Sequence, residues 1–328
     1  MRFTEYDADD ADQVEAGRLI INAASEVDSP WVPAITPHRR EMWVRHGWDG
    51  SPVRHILAWE DGVAVAVTEF DVGEWDNRDL AWTSMVVHPE HRRRGHGSTF
   101  LEEAERIARE AGCTKIGGFG WESPATEPFA KRHGFERASQ EIYRVVTPPE
   151  LPAGFAEAAY AEAAPHAGAY ELIRIEGHTP ADLLPALSDL TAFINDAPLD
   201  DLDMEDEVFP VERIQNYENA NIDSGHRLYR VVARHRATGK LAGHTVVAVD
   251  AESPQLAHQH DTAVARAHRG HRLGLLLKAD MMRWLSEAEP QIASIETWNA
   301  ESNEHMIQVN ERLGYRPFGR ALVFQRKL

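Results

Sequence analysis

Residues 87–97 read Val-His-Pro-Glu-His-Arg-Arg-Arg-Gly-His-Gly, and residues 264–274 read Val-Ala-Arg-Ala-His-Arg-Gly-His-Arg-Leu-Gly. Both stretches contain a basic turn that ends in a glycine, and their positions differ by 177 residues. A second pair, Gly-Phe at 134–135 and Gly-Tyr at 314–315, recurs at the similar spacing of 180 residues. Self-similarity at one spacing indicates two copies of one domain, which we call the first and second repeats.

The predicted strands and helices follow the same order in both repeats. Alternating apolar residues predict strands, and apolar residues at helical spacing with a closing glycine predict helices. Each repeat then contains a strand, a helical region, three strands, a helix, a strand, a helix and a last strand. This order predicts an α/β fold with a mixed α+β sheet in two tandem domains. We place the first domain at 1–147, a Pro- and Ala-rich linker at 148–169 and the second domain at 170–328.

Composition and charge exclude several classes of protein. The chain has 328 residues, is 43% hydrophobic and carries a formal net charge of −19, which argues against general binding to nucleic acids or anionic lipids. Cys113 is the single cysteine, so no intramolecular disulfide and no Cys-rich zinc site can form. No apolar run reaches the roughly 18 residues that a membrane span needs. We therefore expect a cytoplasmic protein, monomeric or homodimeric, without a signal peptide or membrane anchor.

The basic turn of each repeat predicts an anion site. It lies between a predicted strand and a predicted helix, and the first backbone N–H groups of a helix have no partner within the helix and attract negative charge. Two glycines at 95 and 97 allow a phosphate to approach the backbone, so a pyrophosphate is the expected ligand. The dinucleotide fingerprint G-x-G-x-x-G and the nucleotide-binding G-x-x-x-x-G-K-[ST] loop are both absent.

The pattern Arg92-x-x-Gly95-x-Gly97 after a strand resembles the acyl-CoA pyrophosphate loop of the GNAT family of N-acetyltransferases. The second repeat has Arg269 and Gly274 at the same places, but Arg272 replaces the middle glycine. The resemblance extends over both repeats and implies two tandem GNAT domains. It also implies an acetyl-CoA-dependent N-acetyltransferase in which a primary amine of a small molecule attacks the thioester directly in a ternary complex.

The same resemblance implies which residues bind the coenzyme. The strand before each loop is expected to pair with the pantetheine arm, the loop with the pyrophosphate, and two asparagines with the arm of coenzyme A. For the first repeat these residues are Met85, Val86, Val87, Arg92, Arg93, Arg94, Gly95, His96, Gly97 and Ser98. For the second they are Thr262, Ala263, Val264, Arg269, Gly270, His271, Arg272, Leu273, Gly274, Leu275, Asn299 and Asn303.

The acid and base of the reaction are expected in the second repeat. Many GNAT enzymes have a tyrosine five residues before the aromatic residue of the Gly-Phe pair, but Ala130 and Asn310 occupy that position here. Because an alkylamine of pKa about 10 is mostly protonated at neutral pH, the reaction needs a base. The candidate catalytic residues of the second repeat are Asp261, Glu296, Glu301 and Asn310.

Residues 196–207 contain seven acidic side chains and no basic one. By the repeat alignment this segment lies between the first two helices of the second repeat, and the GNAT resemblance implies that it overhangs the acceptor pocket there, which favours a cationic amine. A solvated surface loop is the other interpretation. His258 and His260 are interpreted as a surface pair, and we expect no metal site.

Two other functions remain open. The missing tyrosine and Arg272 are also compatible with a catalytically degenerate protein that binds acyl-CoA or has a regulatory role. A binder of a small cationic metabolite is a third hypothesis, based on the acidic segment.

Overall fold

Strands and helices alternate along both repeats in the predicted order. The computed structural model describes residues 1–51 and 53–328. The first repeat contains β1 (Arg2–Tyr6), α1 (Ala11–Asp28), α2 (Pro37–His46), β2 (Arg54–Glu60), β3 (Val63–Val72), β4 (Leu80–Val87), α3 (His96–Glu110), β5 (Lys115–Trp121), α4 (Thr126–Arg132) and β6 (Glu136–Val146). The rest of the chain contains α5 (Phe155–Ala163), β7 (Tyr170–Glu176), α6 (Leu184–Thr191), α7 (Val211–Asp223), β8 (Arg227–His235), β9 (Leu241–Val249), β10 (Leu256–Val264), α8 (Leu273–Ala288), β11 (Ser294–Ala300), α9 (Glu304–Arg312) and β12 (Arg316–Lys327).

These elements form two units that do not follow the chain in two consecutive stretches. Unit 1 comprises Met1–Glu141, Leu199–Glu207 and Gly319–Leu328, and unit 2 comprises Ile142–Pro198 and Val208–Phe318. Each unit has a mixed sheet with helices, as the fold class predicts. Within the described chain, no helix is long and apolar enough to cross a membrane.

Each unit has its own strand order. In unit 1 the order is β1-β2-β3-β4-β5-β12, in which β4 and β5 are parallel and the other neighbours are antiparallel. In unit 2 the order is β6-β11-β10-β9-β8-β7, and its parallel pair is β10 and β11. The parallel pair therefore occupies the same place in each repeat.

The last strand of each repeat belongs to the unit built mainly from the other repeat. Residues Ala321–Lys327 of β12 pair antiparallel with β5 in unit 1, and residues 142–146 of β6 belong to unit 2 beside β11. The units therefore differ from the division at 147 and 170 expected from the sequence. Periodicity locates the strands, but it does not specify which sheet edge a terminal strand joins.

Residues 148–169, expected to form a linker, belong to unit 2 and include α5. Ala163 and Ala167 are buried in the core of that unit with Leu277, Met281 and Leu313. Alanine has the strongest intrinsic preference for helix, so this Ala-rich piece forms a helix that packs on α8. The prolines on both sides of this piece are typical of linkers, which is why the sequence predicts a linker here.

The exchanged strand β12 predicts an unusual effect of a C-terminal substitution. Phe324 is 5% exposed and packs in the core of unit 1 with Phe100 and Ile116. We expect Phe324→Ala to cost about 3–5 kcal/mol and to remove hydrogen-exchange protection from β5 in unit 1. Phe318→Ala, at a half-exposed phenylalanine of the same strand, is the control and should cost little. Loss of protection in α8 and β11 instead would contradict the assignment of this strand to unit 1.

Candidate active site

In unit 1 the two parallel strands separate soon after they meet. Leu80–Thr83 of β4 pairs with Lys115–Gly118 of β5, but β4 continues to Val87 and β5 to Trp121 without further pairing to each other. Residues 84–87 of β4 still pair with β3 on their other side. Backbone groups of β4 that face the gap are therefore available to an extended ligand. Met85, Val86 and Val87 lie on this edge, and their contact with pantetheine stays a prediction.

Unit 2 has the same gap between β10 and β11. The strands pair only over Leu256–His258 and Ser294–Glu296, and β10 continues to Val264. A register shift against β9 occurs between Gln259 and Thr262, which is a β-bulge and re-aims the side chains of β10 there. Thr262, Ala263 and Val264 follow the bulge along the gap, where the resemblance predicts pantetheine.

Loop one, residues 92–97, has the backbone conformation of an anion site. Arg93 and Gly95 have φ angles of +64° and +90°, in the left-handed region. Gly95 precedes α3, and no side chain caps the first turn of that helix. The N–H groups of this first turn therefore have no intrahelical or capping partner, and they form a site that favours a phosphate.

Loop two, residues 269–274, has left-handed residues at the same positions. Gly270 has a φ of +85° and Arg272, which precedes α8, has a φ of +54°. No side chain caps the first turn of α8. An arginine in the left-handed region costs about 1 kcal/mol of conformational free energy relative to glycine. Arg272 therefore replaces the middle glycine with some backbone strain, and the backbone of the loop keeps its conformation.

The first arginine of each loop is held by protein groups. Arg92 donates to the Val87 carbonyl at 3.1 Å and to the Asp28 carboxylate at 3.0 Å. Arg269 donates to the Val264 carbonyl at 3.2 Å and pairs with Asp196. Both arginines therefore fasten the end of the strand to the loop, and their contact with a phosphate stays a prediction.

The other loop cations differ between the repeats. In the described part of the chain the exposed Arg93 side chain has no hydrogen bond or ion pair, and the exposed Arg94 donates to a backbone carbonyl. Arg272 pairs with Glu162 at 2.8 Å. Loop one thus has two guanidinium groups without a carboxylate partner, whereas each arginine of loop two has one. The electrostatic attraction for a diphosphate is stronger at loop one.

An ionisable pair lies where β10 and β11 separate. His258 and Glu296 are the last partners of the parallel ladder, and His258 Nδ1 is 2.6 Å from Glu296 Oε1. The Tyr143 hydroxyl of β6 donates to the same carboxylate. In unit 1 the last partners are Thr83 and Gly118, which offer no ionisable group. Each repeat has its own gap. The side chains at the point where the parallel strands separate, which we call the fork, differ between the two repeats.

His260 and Asp261 lie in the adjacent bulge. His260 Nδ1 is 2.5 Å from the Tyr217 hydroxyl of α7, and burial, together with His258, His226 and Arg230, lowers the pKa of His260 well below its ordinary value. Burial raises the pKa of Asp261, although Arg230 and Arg213 oppose this. The interpretation of His258 and His260 as a surface pair is wrong, because their rings bind Glu296 and Tyr217 within unit 2.

On the opposite face of β11, Asn310 is fully buried at the position expected for a tyrosine. Its side chain accepts from Lys278 Nζ at 2.7 Å and donates to Asn299 at 2.6 Å. Lys278 lies 4.8 Å from the ring centroid of Tyr315, and burial lowers its pKa to about 7. Sequence reasoning missed Lys278, although a lysine directly after the apolar run Leu275–Leu277 was a signal for it.

Two other predicted site residues have separate contacts. The side chain of Asn303 accepts from the Met306 N–H at 3.2 Å, so it caps α9. Glu301 follows β11 and interacts electrostatically with Arg144 of β6. A ligand contact by either residue stays a prediction.

Most of the acidic segment belongs to unit 1 and not to the unit built mainly from the second repeat. Residues 199–207 pack in unit 1, where the Asp201 N–H donates to the Ala138 carbonyl and the Asp203 carbonyl accepts from Lys115. Asp196, at the start of the segment, belongs to unit 2 and is held by Arg266 and Arg269. Backbone hydrogen bonds, which charge patterning does not reveal, hold residues 199–207 in unit 1. A border with the acceptor pocket of the second repeat stays a prediction.

The sequence profile of the acetyltransferase (GNAT) family matches the chain twice, over residues 23–135 and 196–315. Mycothiol acetyltransferase of Saccharomonospora viridis is 35% identical over 137 residues, which cover 40% of this chain and 40% of that protein. Mycothiol acetyltransferase of Nocardiopsis dassonvillei is 32% identical over 142 residues, 43% of this chain and 40% of that relative. The chain thus aligns with about two fifths of the length of these relatives.

Two solved structures share the fold along almost the whole chain. A tandem GNAT protein from the clavulanic acid biosynthesis pathway superposes with a TM-score of 0.79 at 24% identity, covering 99% of this chain and 98% of that one. A GCN5-related N-acetyltransferase from Sphaerobacter thermophilus superposes with a TM-score of 0.65 at 15% identity, covering 99% and 95%. These similarities establish the tandem fold.

The buried lysine predicts a pH dependence of stability. The folded pKa of Lys278, about 7, lies below its ordinary value of 10.5, so the unfolded chain binds this proton more tightly and stability rises with pH between these values. We expect the free energy of unfolding of the wild type, minus that of Lys278→Met, to grow by roughly 2 kcal/mol from about pH 7 to about pH 9 in urea titrations. The exposed Lys131→Met serves as control. A difference that stays constant with pH would show that Lys278 keeps an ordinary pKa.

Proposed function

The chain belongs to the acetyltransferase (GNAT) family, and from this premise we propose that it is an acetyl-CoA-dependent N-acetyltransferase acting on a primary amine of a small molecule. Two gaps between parallel strands, each followed by an uncapped helix N-terminus, support two coenzyme sites. The curated relatives with 32–35% identity are mycothiol acetyltransferases, which supports transfer to a small-molecule amine.

We assign the chemistry to the second repeat, and the observation that carries this assignment is the His258–Glu296 pair at the fork of its gap. An acceptor ammonium has to lose a proton before its nitrogen can attack. Glu296 takes this proton on a carboxylate oxygen, while His258 and Tyr143 fix the orientation of the carboxylate. Asp261, in the adjacent bulge, is a second proton acceptor whose raised pKa favours proton uptake nearer to neutral pH.

The backbone of the second repeat fits the coenzyme. Residues 262–264 offer a strand edge for the pantetheine arm, and the first turn of α8 offers N–H groups for the pyrophosphate. When bound there, acetyl-CoA supplies the activated acyl group. Because Arg269 and Arg272 are engaged by carboxylates, binding at loop two depends mainly on backbone groups.

Lys278 and Asn310 take the place of the absent tyrosine. Lys278 Nζ holds a proton that is labile near neutral pH, and Asn310 extends its hydrogen bond to the partly exposed Asn299 at the end of β11. Because an amide side chain does not pass on a proton, Lys278 and Asn310 are proposed as positioning residues that fix Asn299 at the end of β11. The departing thiolate takes its proton from water.

The first repeat binds acetyl-CoA without turnover in this account. Loop one carries the unpaired Arg93 and also Arg94, which has no carboxylate partner, and both strengthen diphosphate binding. Thr83 and Gly118 at its fork provide no base. The alternative function is a catalytically silent protein that binds acyl-CoA. Two observations favour it: the arginines of loop two are paired with carboxylates, and the tyrosine of many GNAT enzymes is missing.

Substitution of the proposed base tests the function. We expect Glu296→Gln to lower kcat/KM for acetylation of an active primary amine by about 10²–10⁴-fold, because the amide accepts no proton at neutral pH. Acetyl-CoA binding, measured by calorimetry, should be unchanged. Glu287→Gln, at an exposed carboxylate of α8, is the matched control.

Turnover should be found in a screen of the wild type against a panel of primary amines, with release of free thiol as the readout. Binding of acetyl-CoA without turnover across that panel would support the silent binder. Equal activity of Glu296→Gln and wild type would contradict the assigned base.

A further inference from the structure

Glu60, His91 and His96 of unit 1 come together from three separate elements. Glu60 ends β2, His91 ends the short 3-10 turn at 89–91, and His96 is the first residue of α3. One ligand atom from each of them lies within 4.8 Å of the others. We propose that these three residues form a site for a divalent transition-metal ion of the zinc class.

The hydrogen-bond pattern points to a missing ligand. His91 Nδ1 and His96 Nε2 are both buried atoms with no hydrogen-bond partner. His96 is only 3% exposed, so its imidazole has lost water without gaining a protein partner. A buried polar atom without a partner destabilises the fold, and a metal ion held by both imidazoles and the carboxylate would supply the missing partner.

A simple ion pair does not account for the cluster. His96 Nε2 lies 3.3 Å from Glu60 Oε2 but does not form a hydrogen bond with it, and the pair leaves His91 Nδ1 without a partner. Two ligand atoms of a tetrahedral zinc site with bonds of about 2.0–2.1 Å lie about 3.3 Å apart, which matches this separation. A His91 nitrogen lies within 4.8 Å of the other two ligand atoms, so a rotation of its side chain completes the geometry.

The donor set determines the class of ion. Two imidazole nitrogens and one carboxylate are ligands that zinc takes in open sites, with water in the fourth position. Glu60 is 45% exposed, so the ion and the water can reach the site from solvent. The Cys113 thiol belongs to the core of this unit, so no thiolate is available to recruit softer ions.

The proposed metal site lies at both ends of loop one. His91 immediately precedes Arg92, and His96 immediately follows Gly95, so a metal held by both imidazoles ties together the two ends of the loop. The second repeat provides an internal comparison. His268 corresponds to His91 but hydrogen-bonds to the Tyr170 hydroxyl at 3.0 Å, and Leu273 replaces His96. The metal site is therefore a property of the first repeat and does not depend on the proposed acetyltransferase activity.

Metal titration of the tag-free, metal-stripped full chain tests the proposal. Zn²⁺ is titrated in competition with a chromophoric chelator, and Co²⁺ is added separately to record its visible spectrum. We expect one tight site per chain, with the absorption of tetrahedral cobalt and no thiolate charge-transfer band. Zinc should also raise Tm.

Three variants and one control decide the outcome. Glu60→Gln, His91→Gln and His96→Gln should each weaken zinc binding at least about tenfold, whereas His268→Gln should leave it unchanged. Glu60 is exposed, so its variant remains informative even where His96→Gln fails to fold. Absence of a stoichiometric site in the wild type, or equal binding by Glu60→Gln and wild type, would overturn the proposal.

Discussion

The separation of two parallel strands after only a few paired residues is the constraint on which the rest of the structure depends. A continuous ladder would satisfy the backbone groups of β4 and β10, but separation ends the pairing of each strand with its parallel neighbour and leaves an open strand edge. The chain then turns directly into a helix whose first turn is uncapped. Strand edge and helix N-terminus together form an extended polar surface suited to a long, anionic ligand. We propose that the side chains at the point where the parallel strands separate determine whether a bound ligand reacts.

The two repeats keep this backbone and divide the chemistry between them. Each loop uses one left-handed non-glycine residue, Arg93 in one and Arg272 in the other, and each fastens its first arginine to an acidic residue. Loop one retains two arginines, Arg93 and Arg94, without a carboxylate partner, whereas the second repeat has His258 and Glu296 where its parallel strands separate. The arginines without a carboxylate partner therefore lie in the first repeat, and the ionisable pair lies in the second. This difference is the basis for proposing one binding site and one reaction site.

Local pattern predicted much of this arrangement. The order of elements, the turn between strand and helix, and the position of Glu296 on the strand beside the gap all follow from periodicity and from the repeat. The exchange of β6 and β12 and the course of residues 199–207 depend on pairing between residues that are distant along the chain, which periodicity does not encode. The Lys278–Asn310–Asn299 chain and the Glu60–His91–His96 cluster were missed for the same reason, because each assembles from separate elements.

The most direct test of the assignment of chemistry to the second repeat is the rate of acetylation by variants that place a carboxylate in one loop at a time. A carboxylate at Gly274 or Gly97 repels a diphosphate from the adjoining helix N-terminus. A Cβ at Gly274 meets no neighbour within 4 Å, whereas one at Gly97 lies 3.2 Å from Phe129, so Gly274→Ala and Gly97→Ala separate crowding from charge. We expect Gly274→Glu to abolish turnover and Gly97→Glu to retain turnover. Loss of turnover in Gly97→Glu alone, with Gly97→Ala active, would contradict the assignment to the second repeat and place the reaction in the first repeat.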